Sequence, residues 1–400
     1  MNPETSKVLQ YALDGGPVEI SSNNGVGIIA SLNQWRRPTP TGGWTGVAQS
    51  MALPVGQISN SYAMPYYNGT DSTLYNAVLM ANVDTVPRTI TVTIGGAFMG
   101  SYLLGPSDSR FEVYNVTGGP LVVSSVTGAK IVASLYELKR AGATGEYNGQ
   151  SEMMGLPTTQ LSDKYLIPIY FGMWPGYLDA SLAFANVDTF STTVDVTIAG
   201  VSRGTYVMPP STSMVVRYAL DGGPVEISSN NGAKIVASLN QWRRPTPTGG
   251  WTGVAQSMAL PYEKIWNSYV IPRFNGTDST LYNAVLMANV DNVARTITVK
   301  IGSTVVGSYL LGASDSRFEV YNVADGPIVV SSVPGAKTQP LMSAKEKPAC
   351  TAELASIERW VLPCGQLSTN TCCPCILSSQ PQYAGCPLVY SCPVKRWRVY

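Results

Sequence analysis

The chain has 400 residues, a formal charge of +1, charged side chains at 13% of its length and no histidine. Ordinary globular domains carry about 25% charged residues, so the near-neutral balance speaks against nucleic acid or an anionic membrane surface as partner. No apolar run reaches the ~20 residues of a membrane-spanning helix, and a chain without histidine cannot build Ser-His-Asp or Cys-His triads.

The first residues, Met1-Asn-Pro-Glu-Thr-Ser6, have neither the basic nor the apolar region of a secretory leader. The stretch Tyr11-Ala-Leu-Asp-Gly-Gly-Pro-Val-Glu-Ile-Ser-Ser-Asn-Asn-Gly25 then returns unchanged as Tyr218–Gly232. Looser copies begin at Tyr114 and Tyr321, so the four copies lie 103 or 104 residues apart. Such a period is one small domain repeated in tandem. The chain opens in mid-repeat, because Ser6–Tyr11 aligns with Ser109–Tyr114 and Ser213–Tyr218 without the half-repeat that precedes those. The sequence therefore predicts a piece of a longer protein, with any leader lying upstream.

Within a repeat, short apolar runs alternate with turn residues. Tyr62–Tyr67 leads to Asn68-Gly69, a hairpin signal. Leu74–Val83, Arg88–Ile94, Gly100–Leu104, Arg110–Val113, Leu121–Ser125 and Lys130–Leu135 follow. In Arg88–Ile94 the isoleucines and valine alternate with threonines, the mark of a strand buried on one face. Seven or eight such strands in about 100 residues predict an all-β chain of tandem antiparallel β-sandwich (Ig-like) repeats with an irregular C-terminal tail. The predicted domains are the C-terminal half of a repeat at 1–54, complete repeats at 55–157 and 158–261, the N-terminal part of another at 262–337, and a tail at 338–400. Half-repeats leave strand edges open, so self-association is expected of them. Residues 30–54 and 237–261 are identical while the middle copy differs, an A-B-A order consistent with duplication of a two-repeat block.

The least regular segment follows the Ile-Val-Ala-Ser strand. It reads Asn33–Gly46 and Asn240–Gly253 in the A copies and Tyr136–Gly149 in the B copy. Binding residues concentrate on loops held by a rigid scaffold, so Trp35, Arg36, Arg37, Trp44, Trp242, Arg243, Arg244 and Trp251 are the candidate ligand-binding residues. They suit a sugar ring or another protein; the plainer alternative is a hairpin whose tryptophans pack on their own sheet under the arginines. No phosphate loop or dinucleotide fingerprint occurs. The scattered carboxylates Asp14, Glu19, Asp71, Asp84 and Glu112 sit mostly in turn contexts. No catalytic, cofactor or metal residue is assigned, and the chain is expected not to be an enzyme.

All seven cysteines lie in the tail, from Cys350 to Cys392. Cys372-Cys-Pro-Cys375 invites a zinc or disulfide reading. A frame argument offers another. Read from the third base of each codon, Arg359–Pro363 allows Met-Gly-Leu-Pro, and Asn370–Ile376 allows Tyr-Leu-Leu-Pro-Leu-Tyr. These match Met154–Pro157 and Tyr165–Tyr170, and the tail is read here as a further repeat out of frame.

Four motifs together resemble tandem β-sandwich repeats of large secreted or surface proteins of filamentous Chloroflexota. They are Asp221–Ser229, Lys234–Ser238, Ser151–Pro157 and Phe184-Ala-Asn-Val-Asp188, and their order covers nearly all of 1–337. The resemblance implies a place outside the cell and a structural or adhesive role as spacer, scaffold or adhesin, with surface glycans or surface proteins as partners. A carbohydrate-binding array is the alternative expectation.

Overall fold

The computed structural model describes residues 4–11, 15–36, 46–140, 142–144, 147, 149–172, 178–244, 253–277, 281–346, 356–359, 362–363 and 370–373. Among these the regular structure is all antiparallel β apart from three single 3₁₀ turns.

Residues 61–157 show how one unit is built. Ser61–Met64 pairs on one side with Leu156–Pro157 and on the other with Leu121–Ser124; Arg88–Ile94 and Ala97–Leu104 complete a five-stranded sheet. Ser109–Glu112, Leu74–Asn82, Ile131–Lys139 and Gly149–Met154 form the second, four-stranded sheet. Ile90, Val92, Leu121 and Val123 from the first sheet meet Val78, Met80, Ile131 and Leu135 from the second, all essentially without solvent contact. This is a β-sandwich. An immunoglobulin order would set the first two strands of the sheet side by side; here the neighbour of Ser61–Met64 is Leu121–Ser124, from late in the unit.

The same two sheets recur with strands from 164–261 and again with strands from 268–363. In the third set Thr338–Glu346, Ser356–Arg359 and Leu362–Pro363 take the places of Ile131–Lys139, Gly149–Met154 and Leu156–Pro157. The sheets thus run on beyond Lys337, where the sequence analysis ends the array and begins an irregular tail. The fourth set is partial. Val18–Ser21 pairs with Asn370–Cys373, which in turn pairs with Leu53–Pro54, so the far end of the chain supplies a strand to its beginning. Thr371 stands opposite Pro54 where Tyr62, Tyr165 and Tyr269 stand opposite Pro157, Pro261 and Pro363.

Two details explain the repeated letters. In the Gly-Pro of the organising stretch, the peptide is cis in all four copies. A Cβ on Gly119, Gly223 or Gly326 would lie 2.1–2.4 Å from a carbonyl oxygen of Pro65, Pro168 or Pro272, so only glycine fits. The preceding glycine is dispensable, since Asp325 replaces it in the fourth copy. The Asn of Ala-Asn-Val is fully buried. Asn186 Nδ2 is shared among the carbonyls of Phe190, Met208 and Pro209 at 2.8, 3.1 and 3.2 Å, while its Oδ1 accepts from Asp188 N at 2.9 Å. Asn82 and Asn289 do the same in their units. One side chain therefore ties the carbonyls of two loop residues and of the last residue of a strand.

The Asn68-Gly69 hairpin expected from sequence is not formed. The strand breaks after Met64, and Tyr67–Asn68 pairs with Thr117–Gly118 rather than with Leu74–Asn82. Gly69 is needed for close approach, since a Cβ there would fall 1.9 Å from Tyr114 O.

Replacing Asn186 with Ala removes its bonds and leaves buried carbonyls unpaired, at a cost on the order of 3 kcal/mol. Hydrogen exchange of the second unit should show the loss, whereas Asn230→Ala, which removes one exposed 3.3 Å bond to Thr193 N, should shift stability by under about 0.5 kcal/mol.

Candidate functional site

The strands Gly149–Met154, Gly253–Met258 and Ser356–Arg359 each form the inner edge of a four-stranded sheet, and their counterpart Gly46–Met51 is one strand of a two-stranded sheet. Their letters are polar, yet Gln49, Ser50, Gln150, Ser151, Glu152, Gln256 and Ser257 are all buried. The reason is that these strands pack against one another. Gly46–Met51 lies against Gly149–Met154, that against Gly253–Met258, that against Ser356–Arg359, and the last against Gly46–Met51 again. The four sets of sheets close into a ring with these strands innermost.

The units touch through matched positions. Gln34 Nε2 donates to Glu152 Oε2 at 3.1 Å, and Gln150 Nε2 donates back to Gln34 O at 3.2 Å. One unit further on, Gln256 Nε2 donates to Glu137 Oε2 at 3.4 Å, and Gln256 N to Ser151 Oγ at 2.9 Å. Gln339 Nε2 donates to Leu166 O at 2.7 Å, beside an apolar contact of Ile169 with Ala284, Leu286 and Leu341. The ring closes through Lys300 and Glu4 at 2.7 Å and through Arg273 Nη1, which donates to Ser6 Oγ at 3.3 Å.

Four of the eight candidate residues lie on strands beside this interface. Trp35 and Arg36 end the strand Ser31–Arg36, and Trp242 and Arg243 end Ile235–Arg243, because each hairpin pairs further than the sequence pattern suggests. Arg37, Trp44 and Trp251 lie outside the described residues. Trp242 is half-buried. Lys139 Nζ of the preceding unit sits 4.2 Å from its ring centroid, and Arg217 Cζ lies 5.5 Å away. Arg217 also pairs with Asp179 at 3.2 Å. Arg243 Nε has no hydrogen-bond partner among the described residues, and burial pushes the pKa of that guanidinium down. Arg244 follows directly after the strand and is partly buried.

What sequence reasoning missed is the ionisable pair of the middle unit. Glu137 and Lys139 fall in the segment that the sequence pattern leaves irregular, yet they end the strand Ile131–Lys139 and both are buried. Burial raises the Glu137 carboxyl to about 7, although Lys139 pulls it down. Lys139 bonds to Thr73; burial lowers its pKa, opposed by Asp71, Glu137 and Asp179. Burial alone raises Glu152 to about 7, against the bond donated by Ser134 Oγ at 2.8 Å. The signal available in sequence was Glu137-Leu-Lys139 standing where the A copies have Gln-Trp-Arg.

Chemically the arrangement holds strands together. Between the second and third units is a cavity of about 10 Å³, lined by Ile167, Met258, Leu260 and Leu341 among others, room for no more than one water. No group of three or more acidic or cysteine side chains able to hold a metal occurs among the described residues. Cys372 and Cys373 are in the strand paired with Val18–Ser21, and the other cysteines lie outside the described residues.

An acid whose pKa is higher in the folded chain binds more protons when folded. Stability should therefore fall as pH rises from the ordinary glutamate value of 4.5 to about 7, and level off above it. The ceiling is about 3 kcal/mol for Glu152. Thermal melts from pH 4.5 to 8 should show this decline, and Glu152→Gln should remove its share and leave that of Glu137.

Compared with protein families the chain matches no family model, and comparison with curated proteins returns no match.

Proposed function

We propose that the chain is a non-catalytic structural protein of the cell exterior, a scaffold or adhesin in which successive units lock together and show the same outer edge several times. The carrying observation is the cyclic packing of the four inner strands, which commits the polar strand of each unit to its neighbours. The outer edge is the complement. Ala97–Leu104, Val201–Met208 and Thr304–Leu311 each end their sheet and carry exposed apolar pairs: Phe98 and Leu103, Val201 and Val207, Val305 and Leu310. Leu103, Val207 and Leu310 are each 72–73% exposed. A repeated open edge of this kind suits strand-to-strand contact with a second copy, and repetition lets weak contacts add to useful avidity. The extracellular placement rests on the resemblance of the repeats. For the carbohydrate-binding alternative the geometry offers little, since Lys139 lies over the ring of Trp242.

Sedimentation of the chain over a hundredfold concentration range tests the reading. The expected result is a mass rising above 42.7 kDa, returned to that value by Leu103→Lys, Val207→Lys and Leu310→Lys together. A single 42.7 kDa species throughout, with tryptophan fluorescence responding to a panel of saccharides, would turn the assignment to the carbohydrate reading.

A further inference from the structure

Positions 34, 137 and 241 are equivalent by register, as are 49, 152 and 256. Two interfaces show how these positions meet. The first type of position in one unit touches the second type in the next: Gln34 with Glu152, then Glu137 with Gln256. Each contact joins one amide to one carboxyl. The A copies supply glutamine at both positions and the B copy supplies glutamate at both. The register continues the alternation, setting Glu358 in the place of Gln256 and Ala344 in the place of Gln241. At the two interfaces next to that unit, buried Gln49 and buried Gln241 each have both polar side-chain atoms without a partner among the described residues.

We infer that this alternation is a pairing rule between units: a glutamate-bearing unit accepts glutamine-bearing units on both sides and rejects a second glutamate-bearing unit. The partner that fits the Gln150–Glu152 face is thus another unit of this repeat, in the same chain or a second copy, with an amide at the position of Gln34. The physical reason is that an amide N–H bonds a carboxyl oxygen whether or not the acid is ionised, whereas two carboxylates in one dry site cannot both carry charge. Two glutamines can bond each other, so the rule forbids one neighbour order and favours the mixed one, whose hydrogen bonds are charge-assisted when the acid ionises.

The groups around each acid leave the amide as its decisive partner. Glu152 is held by Ser134 and Gln34. Glu137 has Lys139, Asp71, Asn76, Trp242 and Gln256 about it. Glu152 therefore gives the cleaner test, since no cation offsets it.

The experiment uses the full chain and three variants. Gln34→Glu sets a second carboxyl against Glu152. The expected melting temperature falls on the order of 5 °C at pH 8, and the loss shrinks at pH 5, where one acid is neutral. Adding Glu152→Gln to Gln34→Glu swaps amide and carboxyl, and should restore the melt at pH 8 to that of the parent. Gln34→Leu, which loses the bond without adding charge, should cost less than Gln34→Glu at pH 8 and show a smaller relief at pH 5. If Gln34→Glu prevents folding at pH 8, recovery of folded protein in the swapped double variant is the same result. A Gln34→Glu chain as stable as the parent at pH 8 overturns the rule. So does a loss that Glu152→Gln fails to relieve, because the site would then be rejecting shape and not charge.

Discussion

The constraint on which the ring depends is the burial of a polar strand. A half-buried sheet edge can leave glutamine and serine in water, but Gly149–Met154 and its counterparts have apolar sandwich on one side and another unit on the other. A buried amide or carboxyl without a partner costs about 1–3 kcal/mol, more when charged. Each inner strand is therefore satisfied only if the next unit arrives in register. The sandwiches need their neighbours for hydrogen bonding as much as for apolar contact, which ties unit order to unit stability.

That dependence explains what was legible in the sequence. Arg88–Ile94 was readable because one face meets the core and the other meets water, giving strict alternation. The period was readable because Gly119 and Asn82 answer constraints inside a unit, close backbone approach and three carbonyls to be bonded, that recur in every copy. Gly149–Met154 was not readable as a strand. Its letters, Gly-Gln-Ser-Glu-Met-Met, carry no period of two, since both faces are buried and one is buried against polar groups of another unit. The same cause placed the Trp242 segment in a loop. Its strand continues because Trp242 pairs with Asp179 and Val254 and is covered by Lys139 from the unit before, a contact that spans about a hundred residues of sequence.

The tail shows how far backbone register can outlast side-chain identity. Leu362–Pro363 meets Tyr269 and Val270 just as Leu156–Pro157 meets Tyr62 and Ala63, and eight residues later Thr371 takes the tyrosine position. In the complete units that tyrosine is fully buried and its hydroxyl accepts a backbone N–H, from Ser59, Ser162 or Trp266. Main-chain pairing is generic, so a strand of different letters can occupy the slot.

The consequence is an uneven ring. Val18 and Ile20 are only partly buried, whereas Leu121 and Val123, Val225 and Ile227, and Ile328 and Val330 are fully buried at the same register. Tyr11 is 67% exposed, while its counterpart Tyr321 is 8% exposed and packs edge-on against Phe274. Local opening follows the density of buried apolar contacts, so the partial unit is where the ring yields first. It is also where Gln49 stands unpartnered among the described residues and where an exposed ion pair, Lys300 with Glu4, and a long bond to Ser6 add to the strand packing that closes the ring. Exposed ion pairs contribute at most about 1 kcal/mol, far less than the continuous apolar core shared by the first and second complete units. The partial unit is thus the weak part of the ring, and the apolar core shared by the first and second complete units is its firmest join.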